Sequence, residues 1–320
     1  MHRSDFDPDK LLFGSLGSPL FLNWKMTSLL AMEVHMSLLT WWLTQQVTSL
    51  TEDFQLDMAS SAFDDQYEGC VDEMEAEAPK LLKEELNMNT LLKSEWEMAE
   101  KKWKQIKNRI NYPKSFNDFH GTAVVAYTGC LAIHFNKAVR EFHQNSHTFQ
   151  YKAFHYYLTR ALQLLRTQSC PTVYRGSKTK FSYSRTGRVR FGQFTSSSLN
   201  RNVAVSSQFF SYDGTLFVIK TCLGVNIREF SLYPLEEEVL IPGYEVYHKV
   251  TVTETSKKYN EIFLEDPQRM KSNFNCFYSS SAKNPNEQDS NFNSSGRKGP
   301  MFLLLLLLGL PVLLSAPTEL

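Results

Sequence analysis

The chain has 320 residues, of which 42% are apolar, and its 34 basic and 34 acidic side chains balance to a formal net charge of zero. That length allows one large domain or two small ones. The balanced charge provides no broad basic field of the kind that holds nucleic acid through counterion release, so we expect no nucleic-acid partner.

The N-terminal residues 1–50 are predicted to be an extension followed by a secretion signal. Residues 38–50 form an apolar segment diluted with polar side chains, which is typical of the hydrophobic region of a signal peptide. This segment lies unusually far along the chain, and a start at Met26 or Met36 would place it normally. We expect the mature chain to begin near Thr51.

The next part of the chain is predicted to be helical. Residues 66–111 are rich in Glu, Lys, Leu and Met, which are good helix formers. Pro79 should start a second helix there, because proline is favoured in the first turn. Residues 119–143 and 148–168 predict two further helices, and an apolar stripe along the last one indicates a face turned to the core.

After Pro171 the pattern changes to short β-rich runs punctuated by glycines, which is typical of strands and turns. Helices followed by strands indicate one α+β domain, and we assign it to residues 51–280. The expected strands are residues 172–174, 189–194, 215–222 and 238–252.

The C-terminal segment resembles a signal for attachment of a glycosylphosphatidylinositol (GPI) anchor. A polar stalk (residues 281–295) ends in small residues, which are followed by a short polar spacer and the apolar residues 301–315. This tail is shorter than the roughly 20 residues of a spanning helix, although a short tail anchor is an alternative. Residues 296–320 would then be removed, leaving the protein on the extracellular face of the plasma membrane.

Five cysteines lie far apart, and no two of them form a C-x-x-C pair, so a metal site is not expected. In a secreted chain cysteines usually pair as disulfides, and four of them can pair in three ways. The odd cysteine, Cys130, follows an apolar run and is interpreted as a buried free thiol.

Three features of the strand half could carry chemistry: Arg175, the hydroxyl run at residues 195–198, and the glutamates at 236–238. Taken singly, each is more often an exposed edge residue or a polar turn. On an extended segment, however, Glu236 and Glu238 would point to the same face. Paired carboxylates suit glycosyl chemistry, and an arginine can grip a phosphate with two hydrogen bonds. The combination favours cleavage of an N-glycosidic bond in a phosphate-bearing substrate.

The order Arg175, Ser196, Glu236-x-Glu238 resembles the R-S-E signature of the GPI-linked, arginine-specific ecto-ADP-ribosyltransferases. The flanking segments resemble that family over about residues 56–280, among them FDDQYEGC, VYRG, VRFGQFTSSSLN and EEEVLIPGYEV. The resemblance implies an N-terminal helical part and two packed, small, mainly antiparallel sheets with an NAD cleft between them.

The same resemblance implies transfer of ADP-ribose from NAD to arginines of surface or secreted proteins, with release of nicotinamide. NAD would be a substrate, so no cofactor is expected. Arg175 would hold the NAD phosphates and the nicotinamide-side ribose, and Ser196 would position Glu238. Glu238 would bind the ribose 2′-hydroxyl and stabilise the oxocarbenium ion. Glu236 would orient and activate the acceptor guanidinium, which is a poor nucleophile because its pKa is above 12.

Two further residues and two disulfides follow from the resemblance. Gly176 would let the backbone approach the nicotinamide amide, and Phe209 would stack on the nicotinamide ring, although a core phenylalanine is an equal interpretation. The implied disulfides are Cys70–Cys276 and Cys170–Cys222. Two alternative functions stay open, namely an enzyme that mainly hydrolyses NAD and an inactive surface protein on the same fold.

Overall fold

Residues 54–184, 186–254 and 259–279 are described by the structure, which is a computed structural model of the chain. The predicted signal peptide, stalk and anchor signal, at residues 1–50 and 281–320, lie outside these ranges. In the part of the chain that is described, no helix is both long and apolar enough to cross a bilayer.

The first half of the described chain is helical, as the composition predicts. Two long helices pack with a shorter buried one and with the helix that leads into the strands. The helices in this half are α1 (Val71–Met88), α2 (Thr90–Ile106), α3 (Asp118–Tyr127), α4 (Leu131–Arg140), α5 (Phe142–Asn145) and α6 (Lys152–Leu165).

The prediction that Pro79 starts a new helix is wrong, because α1 runs through it. The residues that α1 buries, among them Met74, Ala78 and Leu82, continue across the proline at helical spacing. Burial of this face therefore outweighs the one backbone hydrogen bond that proline removes. The break comes at Asn89, whose side chain accepts a hydrogen bond from the Leu92 N–H and caps α2.

The segment predicted as one helix over residues 119–143 is divided into α3, α4 and α5. A tight turn of Thr128, Gly129 and Cys130 separates the first two. A β-carbon at Gly129 would lie 2.7 Å from a Glu95 carboxylate oxygen, so no larger residue fits this turn without movement of Glu95. Cys130 is free but exposed, and the prediction of a buried thiol is wrong.

The second half holds the strands and one short helix, α7 (Arg201–Ala204). All pairs in the main sheet are antiparallel except that of β5 with β9, and the small pair of β1 with β3 is also parallel. The main sheet has the strand order β6-β7-β4-β2-β5-β9-β8 once the strands are numbered along the chain. These strands are β1 (Phe54–Gln55), β2 (Thr172–Ser177), β3 (Phe181–Ser182), β4 (Thr195–Ser198), β5 (Thr215–Lys220), β6 (Val225–Asn226), β7 (Glu238–Ile241), β8 (Glu245–Glu254) and β9 (Asn260–Arg269).

The α+β class is confirmed, but the two expected sheets are joined into one. At the centre of the main sheet, β2 and β4 meet only at Tyr174 and Ser198. By contrast, β2 pairs with β5 along its whole length, and β4 does so with β7. The ladder between the two parts of the sheet is therefore reduced to one residue pair at this junction.

The structure corrects two strand predictions and adds one strand that the pattern does not predict. Residues 189–194 form no strand, because only Val189 makes an isolated bridge and Gly192 adopts a φ of 68°. The hydroxyl run that follows, although polar, is strand β4. Residues 238–252 are divided into β7 and β8 by a turn at Gly243-Tyr244.

The two ends of the described domain are fastened together. The structure contains the disulfides Cys70–Cys276 and Cys170–Cys222, the pairing that the resemblance implies. Beside the first, the buried Asp65 accepts hydrogen bonds from the Cys276 and Phe277 N–H groups at 2.9 Å. Burial raises the pKa of Asp65 to about 6, against the lowering effect of these N–H groups. The last described segment therefore docks onto the segment that precedes α1.

Candidate active site

A cleft lies where β2, β4 and β7 run side by side near the weak junction of the sheet. Arg175 is on β2, Ser196 on β4, and Glu238 is the first residue of β7. The turn before β7 and the chain after α7 complete the cleft. All six residues predicted for the site line it: Arg175, Gly176, Ser196, Phe209, Glu236 and Glu238.

Arg175 is fixed by the neighbouring strand. Its Nη1 donates a hydrogen bond to the Ser196 backbone oxygen at 2.7 Å. Burial lowers the pKa of this guanidinium, while the nearby Glu238 raises it. Next to it, a β-carbon at Gly176 would overlap the Ala204 carbonyl oxygen. The close approach at Gly176 is thus already required by α7, independently of any ligand.

Glu238 is the buried carboxylate of the cleft, with 6% of its surface exposed. Burial raises its pKa to about 7, and the nearby Glu236 adds to this effect. The hydrogen bond with the Ser196 side chain and the charge of Arg175 both act in the opposite direction. The carboxyl therefore changes its protonation near neutral pH, which is the property expected of a functional acid or carboxylate.

Glu236 and Glu238 are not on one extended segment, so the predicted alternation is wrong. Glu236 ends a 3-10 turn, and Glu237 adopts a left-handed conformation with φ 48°. Ser198 Oγ holds this turn by donating a hydrogen bond to the Glu236 backbone oxygen at 2.7 Å. The turn nevertheless leaves both carboxylates lining the cleft, with Glu238 buried and Glu236 partly exposed.

Phe209 lines the cleft and is only partly buried. The core residue of this pair is its neighbour, Phe210, which packs with Tyr259 at a ring-centre distance of 5.0 Å. The interpretation of Phe209 as a core side chain is therefore the weaker one, and a ring is available to stack on a planar ligand.

The enclosed volume of the cleft is about 70 Å³, so a dinucleotide would lie along it rather than inside it. Arg175 is the cation available to a phosphate within the lining, and Phe209 and Tyr174 are its aromatic residues. Across the described ranges, no three His, Cys, Asp or Glu side chains are grouped so as to hold a metal ion.

The residues that lie next to the Ser196 side chain on the helical side carry no signal in the sequence. The buried Tyr127 lies within hydrogen-bonding reach of the Ser196 side chain. Its hydroxyl donates to the Phe194 backbone oxygen at 2.9 Å, and Asn136 Nδ2 donates to that hydroxyl at 3.0 Å. Both residues come from helices and look like ordinary core positions in the sequence, so only the fold brings them to the site.

The comparisons with known proteins agree with this geometry. The family model described as NAD:arginine ADP-ribosyltransferase matches residues 56–272. The chain is 62% identical to mouse T-cell ecto-ADP-ribosyltransferase 2 over 274 residues, which cover 86% of this chain and 94% of the mouse protein. It is 64% identical to rat T-cell ecto-ADP-ribosyltransferase 1 over 242 residues, covering 76% and 86% of the two chains.

A solved structure extends the likeness to three dimensions. The crystal structure of a variant of the eukaryotic mono-ADP-ribosyltransferase ART2.2 with NADH matches with a TM-score of 0.68 at 64% identity. The match covers 71% of this chain and 100% of the ART2.2 chain. A second ART2.2 variant with the same scores was solved in complex with NAD. On the family match, the sequence identities and this shared fold, the chain belongs to the NAD:arginine ADP-ribosyltransferase family.

Proposed function

We propose that this protein transfers ADP-ribose from NAD to arginine side chains of surface or secreted proteins and releases nicotinamide. The observation that carries the proposal is the buried Glu238 carboxylate, which lies with Ser196, Arg175 and Glu236 around one cleft. A carboxylate in a poorly solvated site is suited to stabilise a cation that develops next to it.

In the proposed reaction, Arg175 holds the phosphates and the nicotinamide-side ribose of NAD, and Phe209 stacks on the nicotinamide ring. The bond between C1′ of this ribose and the ring nitrogen breaks, and nicotinamide leaves with the bonding electrons. Glu238, positioned by Ser196, accepts a hydrogen bond from the ribose 2′-hydroxyl and stabilises the oxocarbenium ion. An arginine nitrogen then forms a new bond to C1′ in place of the nicotinamide nitrogen.

Glu236 is assigned to the acceptor arginine. It stands at the partly exposed side of the cleft, and burial raises its pKa above the ordinary value. Its carboxylate would attract the guanidinium, orient one nitrogen toward C1′ and take the proton that this nitrogen loses. A water molecule carries no positive charge that the Glu236 carboxylate could attract, so Glu236 favours transfer to arginine over hydrolysis.

The proposed location is the extracellular face of the plasma membrane, with a GPI anchor as the link to the membrane. Two disulfides within the described residues support passage through an oxidising compartment. The small residues, spacer and apolar tail near the C-terminus support the anchor.

The test uses the purified protein, NAD labelled in its adenine and the arginine analogue agmatine. We expect labelled agmatine from the unchanged protein, and Glu236→Gln should reduce it at least tenfold while free ADP-ribose is largely kept. An equal loss of both products would contradict the role of Glu236. Free ADP-ribose alone from the unchanged protein would favour the NAD hydrolase, and no product from folded protein would favour the inactive surface protein.

A further inference from the structure

A second pocket lies where the segment before α1, the end of α6 and the end of β9 come together. It encloses about 540 Å³, which is within the range of small-molecule sites. No residue lines both this pocket and the cleft. Its wall carries three arginines and a single carboxylate, namely Arg160, Arg166, Arg269 and Glu68. We call it the arginine pocket.

Arg160 is incompletely paired. Its Nη1 donates a hydrogen bond to Gln163 Oε1 at 2.7 Å. Its Nε is buried and has no acceptor in the part of the chain that is described. A guanidinium N–H that is removed from water without an acceptor is destabilising, so the charge of Arg160 is incompletely compensated by the protein at the wall of the pocket.

The other two arginines differ in their pairing. Arg269 is neutralised by Glu68, with 2.6 Å between Nη2 and Oε1. Arg166 is exposed, and within the described ranges neither it nor Arg160 lies within 4.0 Å of a carboxylate oxygen. Glu75 interacts electrostatically with Arg160, whose positive charge is one of the causes that lower the pKa of that carboxyl. The pocket therefore has excess positive charge, although the whole chain is neutral.

Helix stability explains only part of this arrangement. Arg166 follows the last residue of α6, where a cation interacts favourably with the helix dipole. This accounts for one arginine at the rim. It does not account for Arg160, which lies more than a turn inside the helix and has a buried, unpaired donor.

We propose that the arginine pocket binds a small organic anion that carries phosphate or sulfate groups. The planar guanidinium matches tetrahedral oxyanions with two parallel hydrogen bonds, which suits both groups. Val71, Leu162 and Leu223 also line the pocket and provide an apolar surface for a sugar or a ring. The inference rests on none of the cleft residues and is independent of the transfer reaction.

The experiment is isothermal titration calorimetry of the full-length protein, purified in mild detergent. The probes are inorganic pyrophosphate and a sulfated disaccharide derived from heparin. We expect saturable binding of at least one probe, weakened about tenfold or more by Arg166→Gln and by Arg160→Gln. Arg175→Gln removes the phosphate contact proposed for the cleft, and saturable binding to the arginine pocket should persist in it. Arg188→Gln, which removes an exposed arginine elsewhere, should leave binding unchanged.

The outcomes separate the site from its rivals. Binding of pyrophosphate alone identifies a phosphate ligand, and binding of the disaccharide alone identifies a sulfated one. Loss of binding in Arg175→Gln would place the anion in the cleft. Equal weakening in Arg188→Gln would mean that binding depends on the positive charge of the protein in general and not on this pocket. Either result overturns the proposal. No saturable binding would also overturn it. Because Arg166 is exposed, Arg166→Gln should keep the thermal unfolding midpoint and so tests the site in a folded protein.

Discussion

At the scale of single residues, the surroundings of Glu238 make it a weaker acid than an ordinary glutamate. Loss of solvent raises its pKa to about 7, and Ser196 and Arg175 hold it from rising further. In the free cleft the carboxylate and the carboxylic acid are therefore both populated near neutral pH. Only the carboxylate can stabilise a developing cation, so the protonation of this one group should control the rate.

We expect kcat/KM for agmatine labelling to fall as the pH drops below about 7, because Glu238 becomes protonated. Ser196→Ala should move this fall to higher pH, since it removes a hydrogen bond that lowers the pKa. Ser197→Ala is the matched control, because the hydroxyl of Ser197 has no hydrogen-bond partner among the described residues. Superimposable pH profiles for the two serine variants would contradict the account of Ser196.

Tyr127 provides a second test at this scale, as a positioning residue that acts through Ser196. Tyr127→Phe removes the hydroxyl near the Ser196 side chain and should lower kcat about tenfold with little change in KM. Tyr156→Phe is the control, since its hydroxyl donates to the Val71 backbone oxygen, and Val71 lines the arginine pocket rather than the cleft. Equal losses of kcat in the two variants would reduce Tyr127 to a packing residue.

At the scale of elements, α6 is anchored by a carboxylate from another helix. The buried Glu85 of α1 accepts hydrogen bonds from the Lys152 and Ala153 N–H groups at the start of α6. Negative charge is favourable at a helix N-terminus, but burial raises the pKa of Glu85 to about 7. The cap is therefore present in either protonation state, and its strength depends on pH.

The sign of this dependence follows from the raised pKa. Because the folded protein keeps a proton that the unfolded chain releases near pH 4.5, the stability that Glu85 contributes is full below that pH and lost as the pH rises toward 7. Glu85→Gln should remove this dependence, so that the free energy of unfolding in urea changes less between pH 5 and pH 7.5. Most of the change in the ionisation of Glu85 falls between these two pH values.

The exposed neighbour Glu84 offers the control for this measurement. Glu84→Gln should leave the difference in unfolding free energy between the two pH values as it is in the unchanged protein. If Glu85→Gln behaved in the same way, the buried carboxyl would not titrate in this range and the account of the α6 cap would be wrong.

The limits of prediction from sequence are also clearest for the elements. Helix formers and apolar spacing were sufficient to predict the helical half and the α+β class. They were not sufficient at Pro79, where tertiary burial of α1 outweighs a local signal. Nor could they predict that β4 is a strand of hydroxyl residues, because its pairing with β7 joins residues distant in sequence.

The cleft shows the same division. Arg175, Ser196, Glu236 and Glu238 were recognisable from their order and flanks, and they do line one cleft. The geometry behind Glu236 was not, since a turn with a left-handed Glu237 replaces the expected extended segment. Tyr127 could not be predicted as a neighbour of Ser196, because a tyrosine in an apolar helix has no local feature that sets it apart from a core residue.

At the scale of the whole molecule, disulfides and a buried aspartate join segments of the domain that are distant in sequence. The Cys70–Cys276 bridge spans 206 residues, and Cys170–Cys222 spans 52. In the chain-entropy model, cross-links over such lengths lower the entropy of the unfolded chain and so stabilise the folded state by about 4–5 kcal/mol each. The first bridge joins the residue that precedes α1 to the segment after β9, and the second joins the segment that leads into β2 to the segment that follows β5.

The central claim is that Glu238 carries transfer of ADP-ribose to arginine, and one measurement tests it most directly. The purified protein is incubated with labelled NAD and agmatine beside Glu238→Ala, with Glu237→Gln as the control that changes a neighbouring glutamate outside the cleft lining. We predict labelled agmatine from the unchanged protein and from Glu237→Gln, and a loss of at least about a hundredfold in Glu238→Ala. Labelling that survives in Glu238→Ala would contradict the account.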